Sequence, residues 1–348
     1  MEQAYSYNDI LLVPDYSEIT TRKDVDLSVQ LTPKIKLALP IISSNMDTVT
    51  EYKMAITMAL NGGLGIIHRY CTISSQTEMV MIVKKHQTTL PYSTLDSKGR
   101  LAVGAAVGVN DGYMKRVDSL IKAGVDVLCV DIAHGHHKLA GNAIKSIKLK
   151  YPEMCIIAGN VVTASGVKFL AESGADCVKV GIGPSSVCST RTQTGNGYPQ
   201  FSAVLECSKE AQTHGITIIS DGGHTEEPGN MVKALSGGAT ACMLGRMLSG
   251  TTESPGDKIV KDNQMFKLFR GMASKEANAS RGVEITTPEG ISKLVPYKGG
   301  VKFLLDQIRG GLRSGLSYQG CSTVDELHRK DIRFCFITGA GRYETVTR

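Results

Sequence analysis

Eight short apolar runs, often β-branched, recur along this chain between stretches with helical periodicity. They are Pro40–Ser43, Gly65–His68, Leu101–Gly104, Val125–Val130, Cys155–Ala158, Cys177–Val180, Ile216–Ile219 and Ala241–Leu244. Their hydrophobicity is continuous rather than alternating, as in parallel strands covered on both faces. Several are joined by helix patterns that stop at glycine, such as Ala164–Glu172 before Gly174 and Asn230–Leu235 before Gly238. Eight such alternations fit a closed (β/α)8, or TIM, barrel or a doubly wound open sheet, and the count favours the barrel. The 348 residues would also allow two domains, yet single barrels reach this length. One α/β barrel domain over residues 1–348 is the expectation.

Composition narrows what such a barrel can do. No apolar run approaches a membrane span, and the start, Met1-Glu-Gln-Ala-Tyr5, carries no basic-then-apolar leader. Nine cysteines without a C-x-x-C pair, several in apolar runs (Cys129, Cys155, Cys177, Cys242), indicate free thiols in a reducing, cytoplasmic setting. The net charge of +6 is spread without a dense Lys/Arg tract, and tryptophan is absent. A site for small anions accounts for that charge, whereas nucleic acid and membrane are not expected partners.

The loops after the strands carry the chemistry. Ser44-Asn-Met-Asp47, His68-Arg69, Asp131-Ile-Ala-His134, Gly159-Asn160, Asp221-Gly-Gly223 and Gly245-Arg246 follow successive runs. Each alone reads as turn and cap chemistry. In a barrel, however, these loops share one face, where active sites gather. Among them Gly181-Ile-Gly-Pro-Ser-Ser-Val-Cys188-Ser-Thr-Arg191 places a cysteine on a glycine-rich loop. A nucleophilic thiolate needs access, nearby positive charge and backbone donors, and such a loop can supply them. Loops after strands seven and eight of this fold commonly bind phosphate, which points to Gly223 and Gly245, with Ser186 facing them. No glycine fingerprint of a dinucleotide-binding βαβ unit follows a strand, so a dinucleotide would have to lie across barrel loops.

The cysteine loop, continued through Thr194-Gly-Asn-Gly-Tyr-Pro-Gln200, resembles the active-site loop of the IMP dehydrogenase/GMP reductase family. The resemblance runs from about Tyr5 to the C-terminus, through Tyr7-Asn-Asp-Ile-Leu-Leu-Val-Pro14, Asn45-Met-Asp-Thr-Val49, Val103–Val109, Ala158-Gly-Asn-Val161, Ser220–Gly223, Arg270-Gly-Met272, Val295–Gly299 and Gly310–Ser314. It implies a cysteine that attacks C2 of a purine nucleotide to give a thioimidate, with hydride handled by a nicotinamide cofactor. Dehydrogenases hydrolyse that intermediate to XMP; reductases expel ammonia from GMP and reduce the intermediate to IMP with NADPH.

Carried onto this sequence, the resemblance implies Cys188 as nucleophile and Thr190 with Glu289 as the pair that protonates the departing amine. It implies Ser186, Gly222, Gly223, Gly245 and Arg246 around phosphate, Asp221 on the ribose, and Gly271, Met272, Ser274 and Gly290 at the base. Arg246 stands where the family generally has Ser or Gly. Cofactor positions fall on Thr21, Arg22, Arg69, Asp131, Ile132, Ala133 and Ser314, Gly315, Leu316 and Ser317; Arg22 with Arg69 would receive a 2′-phosphate. A potassium ion would be ringed by Gly183, Ser185, Cys188 and Arg191, with Glu344 from a neighbouring copy. A homotetramer binding GMP and IMP is implied.

Two features bear on the branch. Only a short link, about His86–Lys98, stands where dehydrogenases usually carry a CBS pair. The flap, about 273–290, is short and lacks the Arg-Tyr dipeptide with which dehydrogenases activate water, since Arg281 is followed by Gly282. Tyr198 and Asn45 look reductase-like. Other details resemble dehydrogenases: Ile337-Thr-Gly-Ala-Gly341 with Glu344 in the tail (about 331–348), and Pro288-Glu289-Gly290-Ile; Ile285-Thr-Thr-Pro departs from the reductase pattern, and Phe269 takes the place of a dehydrogenase phosphate-contacting Tyr. The reading is an NADPH-dependent GMP reductase on a dehydrogenase-like scaffold. A dehydrogenase without CBS domains and a nucleotide-binding protein without turnover are the alternatives.

Overall fold

The computed structural model describes residues 3–224, 226–279, 282, 284 and 286–344. Arg281 and Ile285 of the flap, and the last four residues of the tail, lie outside that set. Eight parallel strands close into a barrel: β1 (Ile41–Ser43), β2 (Leu64–Ile67), β3 (Gly104–Val107), β4 (Val127–Asp131), β5 (Cys155–Val161), β6 (Cys177–Val180), β7 (Thr217–Asp221) and β8 (Ala241–Leu244). Neighbours in sequence are neighbours in the sheet, and β8 closes it on β1 through Cys242 to Ile41 and Leu244 to Ser43. The single-domain barrel is therefore present, and the open sheet is excluded.

Seven strands fall where the apolar runs place them. The third is displaced: Leu101–Gly104 was the expected strand, but Gly104–Val107 enters the barrel. Leu101 instead forms an antiparallel bridge with Leu95 of the link. Leu101, Ala102 and Val103 are as buried as strand residues, so hydrophobicity marked their burial and not their pairing. The strand itself is Gly104-Ala-Ala-Val107, built largely from residues with weak strand preference.

The link carries no further module. It is anchored by Lys84, whose ammonium donates to Asp96 at 3.0 Å, to Asp126 at 2.5 Å and to the Leu101 carbonyl at 3.0 Å. The hairpin Val29–Thr32/Ile35–Leu37 plugs the end of the barrel where strands begin: Thr217, first residue of β7, donates to the Leu31 carbonyl. At the opposite end, a three-stranded antiparallel finger (Ile259–Lys261, Gln264–Arg270, Ser292–Pro296) carries the flap and its short helix Lys275–Ala279. Ile10–Leu12 pairs antiparallel with Phe334–Phe336, tying the N-terminal segment to the tail. Among the described residues no helix is long and apolar enough to cross a membrane.

Candidate active site

The cysteine loop leaves β6 through Gly181, where φ is +147° and a Cβ would lie 2.3 Å from the Asp221 carbonyl. Only glycine fits so close an approach. The loop ends at the short helix Thr190–Thr194, which begins two residues after Cys188. Flap residues clasp the loop: Ser189 N–H donates to the Glu289 carbonyl at 2.8 Å, Ile291 N–H donates to the Val187 carbonyl at 3.0 Å, and Cys188 bridges to Gly290. This clasp brings Glu289 to Cys188 through Thr190. The Thr190 hydroxyl donates to Glu289 Oε2 at 2.8 Å, and Cys188 Sγ lies 3.2 Å from Thr190 Oγ1.

Arg191 is spent on the loop's shape. Its guanidinium donates to the carbonyls of Ile182 (3.2 Å) and Tyr198 (2.5 Å), and its stem fills the space beside Gly183, where a Cβ would lie 2.5 Å away. The carbonyls of Ser185 and Arg191 each accept one backbone N–H at 3.1 Å, from Cys188 and Gly195. A carbonyl has a second lone pair, so both remain able to face a hard cation.

Cys188, Thr190 and Glu289 open onto a cavity of about 580 Å³ at the strands' C-terminal ends, a size suited to a small ligand. Ser186, Asp221, Gly222, Gly223, Gly245 and Arg246 line it from one side and Gly271 and Met272 from another; Arg69, Asp131, Ile132 and Ala133 complete the wall. Ser274 and Gly290 are not part of this lining. Ser274 is fully buried, its hydroxyl accepts from Ala277 N–H to start the flap helix, and it bridges to Gly290 behind the wall. Ala273 faces the cavity instead.

The other cofactor positions lie elsewhere. Helix Val301–Tyr318 runs from the mouth of the barrel to its plugged end, and Ser314, Gly315, Leu316 and Ser317 occupy its last turns. Thr21 caps the short turn Arg22–Asp24 beside them, with the Arg22 guanidinium 5.9 Å from the Tyr318 ring centre. Arg22 and Arg69 therefore do not meet within one chain, because a barrel's length separates them. Arg69 is also engaged: it lies over the Tyr70 ring at 5.3 Å and donates to the Asp131 carbonyl at 3.5 Å. Glu344 follows the tail helix Gly339–Tyr343 and does not line the cavity.

The sequence reading gave two residues of the site no individual role. Lys179 sits in the middle of β6 at 2% exposure, with its ammonium 2.8 Å from Asp131 and 3.6 Å from Asp221. Asn45 lies 3.4 Å away, and Asn160 donates at 2.8 Å to Oδ2 of Asp221, the oxygen that Lys179 also faces. Burial works against charge on Asp131, but Lys179 and Arg69 outweigh it and hold its carboxyl below the usual range. Burial likewise opposes charge on Lys179, yet Asp131 leads the neighbours that raise its pKa well above that of an ordinary lysine. A lysine inside a wholly apolar strand was the available signal, since a buried charge demands a partner. The second is Ser44, whose buried hydroxyl lines the cavity beside Gly245 without a hydrogen bond to any described residue.

A thiol on a glycine-rich loop, a hydroxyl–carboxyl pair against it and glycine turns after the last strands share one cavity at the mouth of a (β/α)8 barrel, the arrangement of an enzyme site. Residues 4–347 match the IMP dehydrogenase / GMP reductase domain. The chain is 41% identical to an inosine-5'-monophosphate dehydrogenase of Cryptosporidium parvum, over 98% of this chain and 94% of that protein. It is 33% identical to a GMP reductase of Leishmania donovani, over 99% and 96%. A crystal structure of a cysteine-to-alanine variant of GMP reductase from Trypanosoma brucei, in complex with guanosine 5'-monophosphate, superposes with a TM-score of 0.96 at 33% identity, covering 100% of this chain and 98% of that one. The chain belongs to the IMP dehydrogenase/GMP reductase family, whose members are oxidoreductases that use a nicotinamide cofactor.

Module content does not divide the branches. The Leishmania reductase aligns over 477 positions and the Cryptosporidium dehydrogenase over 381, so the longer relative is here the reductase.

Proposed function

We propose that the protein is a GMP reductase that deaminates and reduces GMP to IMP, releasing ammonia. The observation that carries this reading is the contact chain from Cys188 Sγ through Thr190 Oγ1 to Glu289 Oε2. Cys188 attacks purine C2, and the C2–N bond then breaks. The departing amine needs a proton, which the Thr190–Glu289 pair would relay; a general acid of this kind contributes about 10²–10⁴ in rate. The flap offers no Arg-Tyr dipeptide to activate water against the resulting thioimidate. A bound nicotinamide cofactor, for which NADPH is proposed, would supply the hydride at C2, and cleavage of the C2–S bond would then release IMP and the Cys188 thiolate.

The remaining contacts follow the cavity wall. Gly222, Gly223, Gly245 and Ser186 would hold the 5′-phosphate, with Ser44 added. Asp221, fixed between Lys179 and Asn160, would accept from the ribose hydroxyls. Arg246 is paired only loosely, with Glu226 at 3.6 Å, and can turn to phosphate, whose geometry a guanidinium matches. Carbonyls of Gly183, Ser185, Cys188 and Arg191 would hold potassium. The identity to the Cryptosporidium dehydrogenase favours oxidation of IMP to XMP as the second reading. With purified protein, GMP and NADPH, one ammonia should appear per NADPH consumed, and none with Cys188→Ala. NADPH consumption without ammonia would refute the proposal.

A further inference from the structure

We propose that Tyr7 is a positioning residue for the nucleotide phosphate, acting through a buried node with Ser220 and Gln200. The proposal rests on the nucleotide reading above and adds a residue that touches no reacting atom. Tyr7 is 1% exposed, and a phenol hydroxyl so buried requires a partner. It lies 2.7 Å from Ser220 Oγ. Ser220 is the residue of β7 just before Asp221 and the two glycines of the proposed phosphate turn. Gln200 Nε2 completes the node, donating to Val180 O at 2.7 Å and to Ser220 Oγ at 3.3 Å. Val180 is where the cysteine loop leaves β6, so one node braces both the phosphate turn and the nucleophile's loop.

Packing makes the brace stiff. A Cβ on Gly223 would lie 3.3 Å from Gln200 Cβ, closer than side chains usually pack, and in contact with Tyr7 Cδ2 at 3.4 Å. The Tyr7 ring stacks on His224, the residue after the turn, at 5.5 Å between ring centres. Its own segment is held from both neighbouring helices. Lys233 donates to the Tyr7 carbonyl at 2.9 Å, and Tyr5 exchanges hydrogen bonds with Ser202 at 2.8 and 3.1 Å. Outside it, Tyr5 stacks on Phe336 of the tail at 4.2 Å.

The phosphate lies away from the reacting carbon, so a looser turn weakens binding equally in ground and transition states. That signature is a raised KM with kcat preserved. The test compares Tyr7→Phe and Ser220→Ala, singly and combined, using whichever pair the wild type turns over, GMP with NADPH or IMP with NAD. Each single change should raise the nucleotide KM about five- to tenfold, the loss of one buried hydrogen bond, with kcat within about twofold. The double variant should be no worse than Ser220→Ala alone, because that change already removes the Tyr7 contact together with the Gln200 bond. Inhibition by guanosine, which lacks the phosphate, should be unchanged. A Tyr7→Phe enzyme with wild-type KM, or one that loses guanosine affinity and kcat in step with KM, overturns the proposal and leaves the nucleotide reading standing. A wild type that neither turns over nor binds a purine mononucleotide overturns both.

Discussion

Thr190 connects a thiol to a carboxylate, and removing either end should leave distinguishable defects. Thr190→Val and Glu289→Gln are each expected to lower kcat about 10²–10⁴-fold with little change in nucleotide KM, as for loss of a proton donor. Cys188→Ala should abolish turnover while GMP affinity and melting temperature stay near wild type; steady-state kinetics, calorimetry and thermal unfolding decide this. Lys179 gives a stability prediction. Replacing it with Met leaves Asp131 and Asp221 without their buried cation, a change that typically costs about 3–5 kcal/mol. In the wild type, the depressed Asp131 contributes stability above the usual carboxylate pKa, lost as pH falls through the folded value. The raised Lys179 contributes below the usual lysine pKa, lost as pH rises through its folded value. The Met variant should therefore recover part of its deficit in mild acid, where the carboxylates protonate; a melting temperature deficit independent of pH would contradict the ion-pair account. Cys188 and its loop were legible because motif and spacing lie in one stretch. Lys179 was not, because its role arises from Asp131 and Asp221 on other strands; Ser44 was read only as part of its loop, because its burial beside Gly245 is a tertiary fact.

The barrel strands were legible as elements because parallel strands buried on both faces must be apolar throughout. That signal reports burial alone, which is why Leu101–Val103 drew the third strand forward onto a buried segment that bridges to Leu95 of the link. Flap geometry was hidden for a related reason. Ser274 has the composition of a site residue, yet capping the helix Lys275–Ala279 turns it inward. The link provides this scale's test. Burial pushes the Asp96 carboxyl up, but the Arg100 backbone, Lys84 and the Arg100 side chain outweigh it and bring it down to about 2. Its contribution is thus present above the usual carboxylate range and lost as pH falls towards that value. Lys84→Met removes the cation shared by Asp96 and Asp126 and should lower the melting temperature by several degrees. Because the link lies at the end of the barrel away from Cys188, kcat and KM should stay within about twofold. A large kinetic defect would show that the link reaches the active site.

As a whole molecule, one chain divides the residues proposed for the cofactor between two ends of a barrel. Arg69, Asp131, Ile132 and Ala133 stand at the mouth; Thr21, Arg22 and Ser314–Ser317 stand at the plugged end. If both sets hold one cofactor, the second must come from another copy, in keeping with the proposed homotetramer. Light scattering should then give four chains, and Arg22→Ala should raise the KM for NADPH several-fold while leaving GMP affinity unchanged. An unchanged NADPH KM in that variant would remove Arg22 from the cofactor's path. The direction of chemistry remains the central claim, and it is tested most directly by the wild-type enzyme with both substrate pairs in parallel, products resolved by chromatography. The account predicts that GMP with NADPH yields IMP and ammonia at the faster rate, while IMP with NAD yields XMP slowly or not at all. Faster XMP formation from IMP and NAD would contradict it and leave Glu289 needing another role.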